Sequence, residues 1–143
     1  MKPTIMLDKT LSQQIRQLCQ QGYERYDQGD YKAALRAFYR AWTQLPKPQT
    51  DYLEAGWVLA ALGDTYFIKG DYPLGEEALR SALHCPDTNG NPFVHLRLGQ
   101  CLYELDQQTQ AKQQFCLALH HGGESLLSKT EQKYQQCAAD CTA

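Results

Sequence analysis

Apolar positions along this chain recur at helical spacing, and the pattern resets at short polar punctuation. In the first stretch Leu18, Gly22 and Tyr26 fall four residues apart before Gly29-Asp30-Tyr31, and Ala34, Phe38, Ala41 and Pro46 follow. In the second, Leu59, Leu62-Gly63 and Tyr66-Phe67 lead into Gly70-Asp71-Tyr72, then Leu79, Ala82-Leu83 and Pro86. A third copy keeps the register with Leu98-Gly99 and Leu102-Tyr103, then Ala111, Phe115 and Ala118-Leu119. Small and large apolar residues repeated in one order predict a helix-turn-helix unit that stacks on copies of itself.

The punctuation sets the helix boundaries. A first helix is expected from about Asp8 to Gln28 and a second from about Tyr31 to Leu45, stopped by Pro46-Lys47-Pro48. A third begins near Asp51, with Glu54 placed to complete a cap, and runs to Lys69; a fourth spans about Tyr72 to Cys85. Asn91 and Pro92 open a fifth, which ends near Glu104, and a sixth reaches about His121. A terminal helix from Ser125 to about Ala139 is expected to cover the face left open by the third unit. The two Gly-Asp-Tyr phrases lie 41 residues apart. That is long for two helices and their turns, and the excess is expected to lengthen the second and third helices, with Trp42 and Trp57 packed together beside the extension.

Glycine inside a helix costs about 1 kcal/mol relative to alanine. Gly22, Gly63 and Gly99 recur in phase mid-helix, so each is read as a close approach by a neighbouring helix, with Phe38, Leu79 and Phe115 filling the space beside the small residues. Gly29 and Gly70 are placed to end the first helix of a unit in a left-handed turn, and Asp30 and Asp71 to cap the next. Gly75 in place of the expected alanine, and Asp106-Gln107-Gln108 in place of Gly-Asp-Tyr, predict less regular packing in units two and three.

These residues resemble the tetratricopeptide repeat. The resemblance implies an all-α fold: three tandem helix-turn-helix units, at about 8–46, 51–86 and 92–122, with a capping helix at about 125–139, in one right-handed superhelical domain with a concave groove. The stretch Gly90-Asn91-Pro92-Phe93-Val94-His95-Leu96-Arg97-Leu98-Gly99-Gln100-Cys101, with Trp57, Leu62 to Phe67 and Lys133-Tyr134, is similar to a group of small single-domain bacterial tetratricopeptide proteins. In such an architecture the first helix of each unit lines the groove. The inward positions are then Tyr23, Tyr26 and Asp27, Trp57, Asp64 and Phe67, and Phe93, Arg97, Gln100 and Tyr103.

That set combines an aromatic floor with a few polar groups, the composition of a recognition surface. Aromatics at this spacing also serve as intramolecular core, and Arg97 is placed either to clamp a carboxylate or to pair with Asp64. A subclass of these repeats holds a chaperone's C-terminal carboxylate with lysines and asparagines. Here the corresponding positions are Cys19, Tyr23, Ala60, Asp64, Leu96 and Gln100, so that clamp is absent.

Composition narrows the function classes. The chain has 143 residues, 43% of them apolar, and a formal net charge of −2, with no basic excess for nucleic acid and no Lys/Arg block for a membrane surface. Met1 to Thr10 lacks the apolar run of a secretory signal, and a cytoplasmic location is expected. Cys19, Cys85, Cys101, Cys116, Cys137 and Cys141 stand at helical positions and are read as reduced thiols acting as small hydrophobes. No CxxC, HExxH or phosphate-cradling glycine loop is present, and His120-His121 is read as a favourable charge at a helix C-terminus. No metal or cofactor is expected.

The expected function is therefore a non-enzymatic module binding a protein or peptide in the groove. A secretion-type chaperone and a toxin-neutralising immunity protein are variants of that reading. An oligomerising scaffold is the alternative, which leaves homo-oligomerisation open.

Overall fold

The computed structural model describes residues 6–141, so half of the Met1 to Thr10 segment read for a leader lies outside the described residues. Helices α1 (Lys9–Asp27), α2 (Tyr31–Gln44), α3 (Leu53–Lys69), α4 (Tyr72–Ala82), α5 (Pro92–Glu104), α6 (Gln108–His120), α7 (Glu124–Ser128) and α8 (Gln132–Cys137) follow in order. Among the described residues there is no β-strand, and no helix is long and apolar enough to cross a membrane. The pairs α1/α2, α3/α4 and α5/α6 are the three repeated units. Helix α3 packs against both α1 and α5, while α2 and α4 meet chiefly through α3; the first helices of the units thus form one continuous inner layer.

Each pair is locked by the same device. Gly22 faces Phe38, Gly63 faces Leu79 and Gly99 faces Phe115, all three large side chains being fully buried. A Cβ added at those glycines would stand 2.7 Å from Phe38 Cδ1, 2.7 Å from Leu79 Cδ2 and 2.6 Å from Phe115 Cε1. Glycine is therefore what lets the second helix of each unit close on the first. The expected role of both sets of residues holds in all three units.

The turns are equally uniform. Gly29 and Gly70 take φ of +77° and +91°, and Asp106 takes the same left-handed conformation at 61°. In each unit the next backbone N–H returns to the helix it has just left: Asp30 to Arg25 O at 2.9 Å, Asp71 to Tyr66 O at 2.8 Å and Gln107 to Leu102 O at 2.9 Å. The third unit thus makes the regular turn without the glycine, because an aspartate tolerates αL better than most side chains.

Caps agree in part with expectation. Asp8 accepts from Leu11 N, Asp30 from Ala33 N, and Asn91 from Phe93 N and Val94 N. Asp71 makes no capping bond; Pro73, in the first turn of α4, has no N–H to leave unsatisfied. Helix α3 starts at Leu53 after a short 3₁₀ turn, Gln49–Asp51, with no side-chain cap. Glu54, expected to complete one, instead accepts from Ser12 Oγ on α1 at 2.6 Å. The extra residues between units one and two go into this link and into α3, which has 17 residues against 13 in α5; α2, with 14 against 13 in α6, is barely longer.

Three further expectations are corrected. The terminal helix is broken into α7 and α8, and side chains take up the backbone carbonyls freed at the break. Thr130 Oγ1 donates to Leu127 O at 2.6 Å, and Gln135 Nε2 to Thr130 O at 2.8 Å and Ser128 O at 3.2 Å. The two tryptophans do not meet: Trp57 lies beneath the Arg16 guanidinium, 4.8 Å from its ring centroid, and Trp42 borders a furrow on the other side of α3. Finally, Cys116 and Cys141 form a disulfide, their Cα atoms 5.2 Å apart, which ties the end of the chain to α6. The helical spacing of cysteines could not show this, since it brings Cys141 beside Cys116 only through the fold of the C-terminal segment.

Candidate groove along the inner helices

Residues four apart on α1, α3 and α5 share one face of each helix, and the stacking of these helices brings the predicted inward positions together. At the centre Arg97 Nε donates to Asp64 Oδ1 at 2.9 Å, and its Nη1 donates to Gln100 Oε1 at 2.9 Å. Tyr26 Oη donates to the same Asp64 oxygen at 3.1 Å. The guanidinium lies over Phe67 at 4.7 Å and near Phe93 at 5.2 Å. One cation, one carboxylate and three aromatic rings thus join all three inner helices.

Burial determines what each group offers a ligand. Asp64 and Gln100 are 4% and 3% exposed and form the floor. Tyr26, Phe67, Phe93, Arg97 and Tyr103 are half-buried, and Asp27 is exposed. Tyr23 and Trp57 are each 37% exposed, and they stand open on α1 and α3. Tyr23 makes edge contacts with Tyr26 and Phe38, so its ring is held in place while its outer side remains wet.

Electrostatics follow from this packing. Burial raises the Asp64 carboxyl, and although the Arg97 charge and the hydrogen bonds from Tyr26 and Arg97 oppose it, the carboxyl stays above the ordinary range. Burial, then the Asp64 charge, push the Tyr26 hydroxyl up to about 12. Tyr26 is thus a neutral hydrogen-bond donor to Asp64. Burial also raises the Cys19 thiol to about 11 and Cys101 to about 12, so neither is an ionised nucleophile near neutrality.

The chain's own C-terminal segment closes the groove beside the third unit. Tyr134 packs edge-on against Tyr103 at 5.4 Å and tilts against Phe67 and Phe115, while its hydroxyl donates to Glu104 at 2.8 Å. Lys133 pairs with Glu104 at 2.8 Å. Burial alone would raise the Glu104 carboxyl, but the hydrogen bonds from Lys133 and Tyr134 and the Lys133 charge hold it below the usual range. Tyr103, predicted as a groove residue, is thereby covered. What remains between α3, α5 and this segment is a pocket of about 330 Å³, lined by Phe67, Phe93, Arg97, Lys129, Glu131 and Tyr134 among others.

Lys129, Glu131 and Tyr134 line this pocket, where the sequence pattern did not place them. Lys133-Tyr134 stands out in the sequence, but a terminal helix read as a plain cap gives no reason to turn it inward. Arg16, stacked on Trp57, was also missed; a lone exposed arginine carries no signal of its own. Among the described residues no group of three or more His, Cys, Asp or Glu is arranged to hold a metal ion.

No protein-family model matches the chain, and no curated protein matches it. Among solved structures, it is similar to the first TPR of Spaghetti (RPAP3) bound to HSP90 peptide SRMEEVD. The TM-score is 0.70 at 17% identity, over 90% of this chain and 98% of that one. The chain therefore has a tetratricopeptide-type helical-repeat fold.

Proposed function

We propose that this chain is a non-enzymatic interaction module that holds a peptide segment or partner surface in the groove along α1, α3 and α5. The observation that carries the reading is the pair of open aromatics, Tyr23 and Trp57, fixed beside a floor whose polar groups already satisfy one another. Aromatic side chains give large contact area at low entropic cost, and a pre-paired floor needs no rearrangement to receive a ligand. Because Arg97 is engaged by Asp64 and Gln100, affinity comes from aromatic contact more than from capture of a terminal carboxylate. The similar TPR domain is bound to a peptide, which supports a peptide as the ligand class here.

Within this reading the whole chain acts as one bacterial unit, with repeats at about 8–46, 51–86 and 92–122. A secretion-type chaperone would hold an extended client segment, and an immunity protein would seal a folded toxin. The test is selection of binders from a displayed library of random 15-residue peptides, followed by calorimetry. Tyr23→Ala and Trp57→Ala, whose helical content is checked by circular dichroism, are expected to weaken selected peptides at least tenfold. Failure to recover any peptide that the folded double variant weakens would remove the groove from consideration.

A further inference from the structure

A second concavity lies on the outer side of the stack. Helices α2 and α4 meet chiefly through α3, leaving a furrow of about 250 Å³ whose floor includes buried Leu59, Leu62 and Ala78. Its rims carry two exposed apolar side chains, Tyr39 at 43% on α2 and Leu74 at 40% on α4, and Trp42 lines it half-buried. The hydroxyls of Tyr39 and Tyr66 share a hydrogen bond, which fixes the Tyr39 ring at the mouth. Side chains of this size at an open furrow are the makings of a contact surface.

The exposed face of α2 beside it is basic, with Glu24 and Asp30 on the far side of Arg36 and Arg40. Lys32, Arg36 and Arg40 stand one turn apart along the exposed face of α2, next to Leu35, Tyr39 and Thr43, and these six residues border a second open space. Helix α2 contains no acidic residue, in a chain whose formal net charge is −2. The ion pairs among the described residues are elsewhere, on Arg80, Arg97, Lys112 and Lys133. Like charges at one-turn spacing destabilise a helix, and carboxylates laid along the ridge would relieve that repulsion.

We propose that this outer face is a docking surface, separate from the inner groove, for an acidic amphipathic segment of a partner protein. Its carboxylates pair with Lys32, Arg36 and Arg40, and one large apolar side chain enters the furrow between Tyr39 and Leu74. The furrow favours a peptide over nucleic acid, because its buried floor of Leu59, Leu62 and Ala78 takes an apolar side chain, while Glu77 on the α4 side keeps the segment's carboxylates toward the basic face of α2. It favours a peptide over a bilayer, because its apolar groups line a recess that a flat surface does not enter.

The test uses a displayed library of random 15-residue peptides, with counter-selection against Arg36→Glu/Arg40→Glu and, separately, Leu74→Asp. Each changed side chain is exposed, and folding is checked by thermal melting; Arg36→Gln/Arg40→Gln replaces the charge reversal if that variant unfolds. Selected peptides are expected to carry several Asp or Glu and a large apolar residue, to lose at least tenfold in affinity to each variant, and to weaken with salt. They are expected to bind Trp57→Phe normally and to change the emission of Trp42 there. Enrichment of only non-acidic peptides, or of peptides indifferent to all these substitutions, overturns the proposal. So does tighter binding of single-stranded DNA or anionic phosphatidylglycerol vesicles under the same conditions, or a dimer by light scattering that Leu74→Asp abolishes.

Discussion

Gly63→Ala has an effect whose sign the tertiary structure reverses. In the middle of a helix, replacing glycine with alanine ordinarily stabilises by about 0.5–1 kcal/mol, through reduced freedom in the unfolded chain and better helix propensity. Here the new methyl would meet Leu79 at its branch carbon and stand 2.7 Å from Cδ2. Leu79 is fully buried, so its side chain has no solvent side to swing toward. Overpacking of this kind costs about 1–3 kcal/mol, which exceeds the propensity gain over most of that range. The expected net effect is a loss of about 1–2 kcal/mol, or roughly 3–6 °C in melting temperature for a chain of this size, measured by circular dichroism or calorimetry. In the Gly63→Ala background Leu79→Val, which removes a methylene, should cost less than it does alone, giving a favourable coupling. A Gly63→Ala protein that melts above the parent would refute the lock between paired helices.

Three other outcomes are expected. Asp106→Gly should stabilise by about 0.5–1 kcal/mol, since Asp106 holds the left-handed φ that glycine occupies in the other two units; an unchanged denaturant midpoint would count against strain at that turn. The Glu104 carboxyl is held below its ordinary value near 4.5, so its contribution is present above that value and lost as pH falls through the lower folded one. Protection factors of α8 amides, taken relative to the intrinsic exchange rate at each pH, should therefore fall on acidification below the ordinary carboxylate value of 4.5 in the parent, with a smaller change in Glu104→Gln; equal pH responses would disconnect Glu104 from the cap. At pH 8, iodoacetamide should label native Cys101 and Cys19 far more slowly than the unfolded chain, because burial raises both thiols. Equal rates in the two states, read by mass spectrometry, would show that the inner layer opens freely.

The sequence by itself determined the repeated unit. A helix that must approach another closely has to be bare at the crossing, and the partner has to supply bulk there; Gly22, Gly63 and Gly99 opposite Phe38, Leu79 and Phe115 state both requirements in one dimension. The six long helices and the left-handed glycine turns follow from residues within a few positions of one another, as local structure does. The juxtaposition of inner-face residues was also legible once the repeat was seen, since stacking copies in register brings Tyr26, Asp64 and Arg97 side by side. Whether Arg97 faced a ligand or Asp64 was not, because spacing gives proximity and not the direction in which a long side chain settles.

Tertiary structure alone decided the ends and the surroundings of the groove. The C-terminal segment breaks at Lys129 to Glu131 and turns Tyr134 onto Tyr103, through contacts with residues some 30 positions earlier. Cys141 reaches Cys116 in the same way, across 25 positions. Glu54 leaves a local cap for Ser12, 42 residues away, and Trp57 leaves Trp42 for Arg16. For Glu54 a local cap worth about 1 kcal/mol yields to a distant partner, and in every case the partners are ones that only the folded chain brings within reach.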